Sequence, residues 1–358
     1  MKQNNASKQP WLGNAAIDTI FILSPPFLCL LVIFLFPQLF RDGNAMPTFW
    51  WVILVLLIDV AHVYSTLFRT YLDKSIPPFQ KRLLRVIPIV GFLIGIGLYS
   101  FSYMLFWSML AYVAVFHFVR QQYGMMRLYS RKENIPVWMR NVDVFTIYYA
   151  TIFPLLFWHL SSRNFNWFVE GDFLHFNAAL VLRMATWLYY LMLLLYFLKE
   201  TILLFYFKTF NLPRIAIILG TILSWYFGIV YFNGDMAFTL LNVVSHGVPY
   251  MALIWIYAQQ QSCQPTSGKW LPVFFKQYGL VLFLGLIFLL AYVEEGLWDM
   301  TVWKEHKNIF SLLHLPNIKI NDAWLCIIVP LLALPQITHY IIDGFIWKKN
   351  APKPSELA

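Results

Sequence analysis

Four histidines lie inside apolar stretches of this sequence, where ionisable side chains are rare. The stretches are "LIDVAHVYS" (57–65), "VAVFHFVRQQYG" (113–124), "LLNVVSHGVPY" (240–250) and "LPQITHYIIDGFIWKK" (334–349). Ionisable groups within membrane helices are costly and usually mark function, and imidazole nitrogens suit Zn, Cu, Fe and Ni ions. The candidate ligands of a metal ion are therefore His62, His117, His246 and His339.

Each histidine also has a polar neighbour three or four positions away, which places the two side chains on one helix face. A ligating histidine commonly donates its second ring N–H to a carboxylate or carbonyl group. We therefore expect these neighbours to serve as hydrogen-bond partners of the rings or as additional ligands. Two of them, Asp59 and Asp343, are also the candidate catalytic residues. The full set of neighbours is Asp59, Gln121, Asn242, Gln336 and Asp343.

The composition indicates that these residues sit in membrane-spanning helices. The chain has 358 residues, of which 60% are hydrophobic and only 12% are charged, whereas soluble domains are about a quarter charged. Apolar runs of roughly the length needed to cross a bilayer predict an all-α polytopic helical bundle in a single integral-membrane domain, residues 1–358. The predicted spans are 15–40, 48–71, 83–102, 104–126, 140–160, 178–198, 212–232, 236–258, 272–293 and 323–346.

The distribution of basic residues predicts the orientation of these spans. With ten spans, most Lys and Arg residues fall on the side of both chain ends, and basic loops mark the cytoplasmic side. Both termini are then cytoplasmic, residues 294–322 form an extracytoplasmic connection, and a bacterial inner membrane is the expected location. The net charge of +9 is accounted for by these loops, so we expect no nucleic-acid partner. Three scattered cysteines indicate neither a disulfide framework nor a thiolate metal site.

The orientation places all four histidines at one depth. Each lies 7 to 13 residues before a basic or polar segment on the cytoplasmic side, which is about 10–20 Å at the helical rise. Just beyond this level, Arg69, Arg120 and Tyr123 would line the cytoplasmic mouth of the site and contact the substrate.

Two further patterns concern how the helices pack. Gly91 and Gly95 have the GxxxG spacing that lets helices approach closely. Several prolines within the spans, among them Pro25, Pro330 and Pro335, should bend or open their helices.

Dispersed histidines near the cytoplasmic side of an apolar bundle resemble those of integral-membrane non-haem iron oxygenases. The HxxxH and HxxHH boxes of desaturases and hydroxylases are absent from this sequence. The pattern His62, His117, His246 and His339 is more similar to the bacteriorhodopsin-related-protein family of β-carotene-cleaving oxygenases. That resemblance implies Fe(II) held by histidines, O2 as co-substrate, and a hydrophobic lipid or isoprenoid as substrate.

The sequence leaves other functions open, each separable by one measurement. The first hypothesis is an oxidative metalloenzyme acting on a lipid-like substrate, and the second is a zinc-dependent intramembrane lipid hydrolase in which an Asp acts on metal-bound water. A bis-histidine haem protein would show a haem absorbance spectrum. A proton-coupled transporter using the same polar cluster would move protons after metal removal. The sequence predicts no oligomeric state.

Overall fold

The computed structural model describes residues 9–40, 46–163, 165–232, 234–275, 278–313 and 320–347. These ranges contain twelve helices that belong to candidate membrane spans and no β-strand. The helices are α1 (Ala15–Leu23), α2 (Pro25–Leu35), α3 (Thr48–Arg69), α4 (Pro78–Phe101), α5 (Tyr103–Ser130), α6 (Val137–Leu160), α7 (Ala179–Phe205), α8 (Leu212–Tyr231), α9 (Asp235–Ser262), α10 (Gly279–Trp303), α11 (Ala323–Leu332) and α12 (Leu334–Ile346).

Eight of these helices, α3 to α10, are each long and apolar enough to cross a membrane. The pairs α1–α2 and α11–α12 pass the same test together, which raises the number of crossings to ten when each bent pair counts as one span. The predicted all-α polytopic membrane fold is thus confirmed. The cytoplasmic placement of both termini stays a prediction, and residues 1–8 and 348–358 lie outside the described residues.

Proline accounts for the bends in the two broken spans. The axis turns by 51° between α1 and α2, and by 42° between α11 and α12. Pro25 begins α2, and Pro335 is the second residue of α12. Because proline has no N–H and its ring clashes with the preceding turn, a straight continuation of either helix is disfavoured. The predicted bends are confirmed at these two places.

The chain divides into two compact units. The first comprises residues 1–45, 118–165 and 174–249, and the second comprises residues 46–117, 166–173 and 250–358. Helices α5 and α9 each contribute residues to both units.

A buried ionic network marks the first unit, where α6, α7 and α8 pack together. Lys199 forms ion pairs with Asp143 and Glu200. Arg214 makes two bonds of 2.7 Å to Glu200 and bonds of 2.9 and 3.0 Å to Glu133. Lys199 and Arg214 are each only 1% exposed, so their carboxylate partners are what makes burial of both charges tolerable.

The second unit is built around α3, α10 and the C-terminal part of α9. One of its core clusters joins Leu56 and Phe68 of α3 to Tyr250 of α9 and to Phe283 of α10. This packing holds the histidine-bearing stretch of α3 against the other two helices.

The remaining wall of the second unit is a close contact between α4 and the α11–α12 pair. A Cβ added at Gly91 would lie 2.9 Å from the Ile337 Cγ2 atom, and one added at Gly95 would lie 2.8 Å from the Pro330 Cβ atom. Only glycine permits this separation, so the predicted close approach is confirmed. It fixes the position of α12, which carries His339.

Helix α10 extends further than the sequence suggested. The ninth predicted span ends at residue 293, whereas the helix continues to Trp303. The span was predicted to end at residue 293 because Glu294 and Glu295 interrupt the apolar run. Glu294 is, however, buried and hydrogen-bonded inside the unit. The connection that follows includes residues 314–319, which lie outside the described residues.

Candidate metal centre

Four buried histidines are the candidate metal ligands, namely His62, His117, His246 and His339. Three of them belong to the second unit and come from three different helices, α3, α5 and α12. Their exposed fractions are 1%, 2% and 2%. Each of these three rings offers one ligand nitrogen, and the three nitrogens lie within 4.8 Å of one another.

In the second unit, the rings of His62 and His117 both lie beside the ring of His339. The ring centroids of His62 and His339 are 5.0 Å apart with an interplanar angle of 78°. Those of His117 and His339 are 4.5 Å apart at 66°. Because the rings are edge-on rather than stacked face to face, their nitrogens can point toward a common volume, as ligation of one ion requires.

A local irregularity of α3 precedes its histidine. Residues Val52–Val60 have the wider hydrogen bonding of a π-helix, which returns to an α-helix at Ala61. Such turns are rare and frequently occur at functional sites. The segment carries Asp59 and ends two residues before His62, so it sets the direction in which both side chains leave the helix.

A hydroxyl chain fixes the orientation of the third ring. The Thr66 Oγ1 atom lies 2.8 Å from His339 Nδ1 and 3.1 Å from the Tyr250 hydroxyl. Tyr250 in turn interacts with the Asp343 carboxylate. A carboxylate can only accept hydrogen bonds, so Tyr250 donates to Asp343. The Thr66 hydroxyl then donates to Tyr250 and accepts from the Nδ1–H group of His339.

With the proton on Nδ1, the other ring nitrogen of His339, Nε2, is unprotonated and its lone pair is available. His339 Nε2 is buried and has no hydrogen-bond partner among the described residues. An unsatisfied buried acceptor costs free energy, and a metal ion is the partner that suits a neutral imidazole nitrogen. The donor set therefore fits a metal ion.

Carboxylates face the outer nitrogens of the other two rings. Asp59 Oδ1 lies 3.8 Å from His62 Nδ1, and Asp343 Oδ2 lies 3.7 Å from His117 Nδ1. Both separations exceed a hydrogen bond by several tenths of an ångström, so each carboxylate lies near the Nδ1 atom of its ring without bonding to it directly. Carboxylates placed behind metal-binding histidines orient the ring and raise its basicity.

The partner of Asp343 differs from the one expected on its own helix. The sequence pairs Asp343 with His339, four residues away, whereas its carboxylate faces His117 of α5. Its second oxygen accepts a 2.7 Å hydrogen bond from the Trp347 indole. The Asp59–His62 pairing, by contrast, is the one that the i, i+3 spacing predicts.

His246 lies on α9 within the first unit and is fully buried. Its ring stacks on Phe118 with centroids 3.7 Å apart, and its backbone carbonyl accepts a 2.8 Å hydrogen bond from Gln121 Nε2. A π-helical turn, Thr239–Val243, precedes it, as one precedes His62. That turn carries Asn242, whose buried amide atoms have no hydrogen-bond partner among the described residues.

Gln336 has a different partner from the one expected. Its amide donates to Glu294 rather than serving His339. Glu294 also accepts hydrogen bonds from the Tyr64 hydroxyl at 2.6 Å and from the Trp298 indole at 3.4 Å. Three donors therefore bond one buried carboxylate in this part of α10. The sequence predicted a loop here, in the extracytoplasmic connection.

The predicted substrate-contacting residues occupy two different places. Arg69 is buried, donates to the Ile346 carbonyl at 2.9 Å and packs 3.7 Å above the Tyr257 ring. Arg120 is exposed, donates to the Tyr148 hydroxyl and lies 4.9 Å from the centroid of Tyr123. Arg69 thus joins α3 to the end of α12, and contact of all three predicted residues with a substrate stays a prediction.

The sequence did not point to three residues of the second unit's site, namely Thr66, Tyr250 and Glu294. Thr66 lies four residues after His62, so the spacing rule applied to the other neighbours would have found it. Tyr250 and Glu294 reach the site from other helices, and no local spacing signals them.

Comparison of the chain with protein-family models, with curated proteins and with solved structures gave no match.

Proposed function

We propose that this protein is a membrane-embedded metalloenzyme that oxidises a hydrophobic lipid or isoprenoid substrate, with Fe(II) as its metal and O2 as co-substrate. One observation carries the proposal: three buried imidazoles from three separate helices converge to within 4.8 Å. Three buried rings at one point are costly unless a ligand shares their lone pairs. Bound metal offsets that cost.

The proposed ligands are His62, His117 and His339, with His246 as the fourth. His246 is proposed because it is fully buried and because the sequence places it at the depth of the other three. An iron ion held by these neutral imidazoles would supply the activation of O2.

The protein's own residues would set up this chemistry in two ways. Thr66 accepts the Nδ1–H group of His339 at 2.8 Å. The carboxylates of Asp59 and Asp343 lie beside Nδ1 of His62 and His117, where they favour the cationic character that a bound metal gives these rings. The burial of the three rings keeps bulk water from the reacting volume, which strengthens electrostatic interactions there.

The choice of oxidation over hydrolysis comes from the chemistry of the proposed substrate. A hydrocarbon segment contains no ester or amide bond that a hydrolase could cleave, so oxidation is the reaction open to it. The proposed location is the bacterial inner membrane, with the histidines in the cytoplasmic half.

A zinc-dependent lipid hydrolase is the second candidate, and one observation favours it. The Asp59 side chain is 35% exposed although it lies next to the buried His62. A carboxylate with that access can serve as the base for a water molecule, and bound zinc lowers the pKa of its water to about 7. Metal identity separates the two candidates, because iron with O2 consumption supports the first and zinc without it supports the second.

The test is elemental analysis of the protein purified in detergent without added chelator. The wild type is expected to carry iron, and His117→Ala and His339→Ala are each expected to lose it. His175→Ala is the matched control, since His175 is an exposed loop residue. Equal metal content in all four proteins, or none in the wild type, would refute the metal centre.

A further inference from the structure

A cavity of about 330 Å³ lies within the second unit beside the candidate metal centre. Four helices, α3, α4, α11 and α12, form its walls. The lining is mostly apolar, with Leu67, Leu84, Leu334 and Ile342 among its residues. Its volume falls in the range of small-molecule sites, and such sites combine apolar walls with a few polar groups.

Two of the polar side chains that line this cavity belong to the candidate centre. Thr66 and His339, which share the 2.8 Å contact, both line it. A molecule held in the cavity therefore lies against the ring whose Nε2 atom is without a hydrogen-bond partner among the described residues.

The dimensions of the cavity match one leaflet of a bilayer. On one side it runs from Val63 of α3 to Tyr71, just past the end of that helix, and on the other side it runs along the α11–α12 pair from Leu331 to Ile342. At 1.5 Å per residue the second stretch is about 16 Å long. Half of the hydrocarbon core of a bilayer is about 15 Å thick. A lipid's hydrocarbon chain can thus lie in the cavity parallel to its neighbours in the membrane.

The two ends of the cavity differ in chemistry. Leu331, at one end, is 50% exposed on a membrane helix. At the other end, just past α3, the Tyr71 hydroxyl donates to the Leu84 carbonyl at 2.8 Å, and partial burial raises the pKa of that hydroxyl, so it keeps its proton. The first turns of α4 also carry exposed basic residues, Lys81 and Arg85 among them, at this end. An amphiphile would place its polar head there and its chain toward Leu331.

We infer that this cavity is the substrate groove, and that a membrane lipid enters it sideways and lays its hydrocarbon chain against His339. This inference rests on the proposed function and adds the binding site and orientation of the substrate. It also accounts for the position of the candidate ligand in the wall of an apolar groove, eight residues along the α11–α12 pair from Leu331 and three from Ile342.

The experiment uses a palmitic acid analogue with a mid-chain diazirine and a terminal alkyne as its probe. The full-length protein is reconstituted in phosphatidylcholine vesicles, irradiated with the probe and digested. Mass spectrometry then locates the labelled peptides. Labelling of the wild type is expected in the α3 and α12 peptides that line the groove.

Thr338→Trp fills the groove and should reduce this labelling about tenfold, the loss expected when roughly two methylene groups are displaced from apolar contact. Ile341→Trp is the matched control, because Ile341 is on the same helix, is 38% exposed and does not line the groove. Leu334→Phe provides a second groove variant should Thr338→Trp fail to fold.

Metal content is measured on the same samples so that the two proposals can fail separately. Equal labelling of wild type, groove variants and control, with metal retained, would overturn the groove while leaving the metal centre standing. Groove labelling that depends on Thr338→Trp in a protein without metal would support the groove and refute the proposed enzyme.

Discussion

Thr66→Val is the substitution that tests the candidate centre most directly. It removes one hydroxyl, which contacts His339 Nδ1 at 2.8 Å and the Tyr250 hydroxyl at 3.1 Å, and it keeps the branched shape of the side chain. When metal occupies Nε2, the proton of His339 must reside on Nδ1. Without Thr66 that N–H has lost its acceptor. The metal-free protein can place the proton on either ring nitrogen, whereas the metal-bound protein cannot, so the penalty is at least as large in the bound state.

The size of this penalty follows from the burial of the group. Thr66 is 6% exposed and His339 is 2% exposed, so water cannot replace the lost acceptor. Leaving a buried donor unsatisfied costs about 1–3 kcal/mol. At about 1.4 kcal/mol for each factor of ten, we expect metal affinity to fall between about tenfold and about 100-fold, as for other outer partners of metal-binding histidines.

The assay is an anaerobic titration of metal-stripped protein in detergent, with Co²⁺ as the spectroscopic probe and Fe²⁺ in competition with a chelator. Thr70→Val is the matched control, because Thr70 is equally buried and its hydroxyl donates only to the Thr66 backbone carbonyl. Unchanged affinity in Thr66→Val would refute the assignment of Nε2 as the ligand atom. An equal loss in both variants would point instead to a general disturbance of the end of α3.

Three further predictions concern positions around the centre and in the first unit. Gly95→Leu should lower the unfolding free energy by about 1–3 kcal/mol through overpacking, since even a Cβ at this position would lie 2.8 Å from Pro330. The control is Gly97→Leu, which should leave the unfolding free energy unchanged because a Cβ there would have nothing within 4 Å. Thermal unfolding in detergent measures both variants. Asp343→Asn should weaken Co²⁺ binding about tenfold to 100-fold, because an amide cannot support the His117 ring as a carboxylate does, and equal binding would contradict the role of Asp343. Lys199→Met should destabilise the protein by about 3–5 kcal/mol by leaving buried carboxylates unpaired, and an exposed-site change of the same type, Lys132→Met, should leave the thermal midpoint unchanged.

The fold class could be predicted because it follows from a one-dimensional pattern. A membrane span must be apolar over a fixed length, so runs of hydrophobic residues locate helices to within a few positions. The same rule failed at the end of α10, where Glu294 is charged in sequence terms yet lies inside the helix. Three hydrogen-bond donors offset the cost of its burial, and two of them, Tyr64 and Gln336, come from other helices.

The partners of the histidines were predictable only within a helix. The spacing of three residues correctly joined Asp59 to His62. It assigned Asp343 to His339, although the carboxylate faces His117, because at an interface between helices the residue across the gap competes with the residue one turn away. Sequence spacing describes one helix at a time, so it carries no information on that competition.

The positions of π-helical turns explain why the histidine faces were hard to derive from periodicity. An i, i+4 argument assumes 3.6 residues per turn, but the turns before His62 and before His246 are wider. Each wide turn rotates the residues that follow it relative to those before it. The two rings thus leave their helices in directions that regular periodicity would not give. If the wide turns exist to aim these rings, then deleting one residue within Val52–Val60 should restore a regular helix and cost metal binding more than it costs folding. That outcome would separate a segment shaped for ligation from one shaped by packing alone.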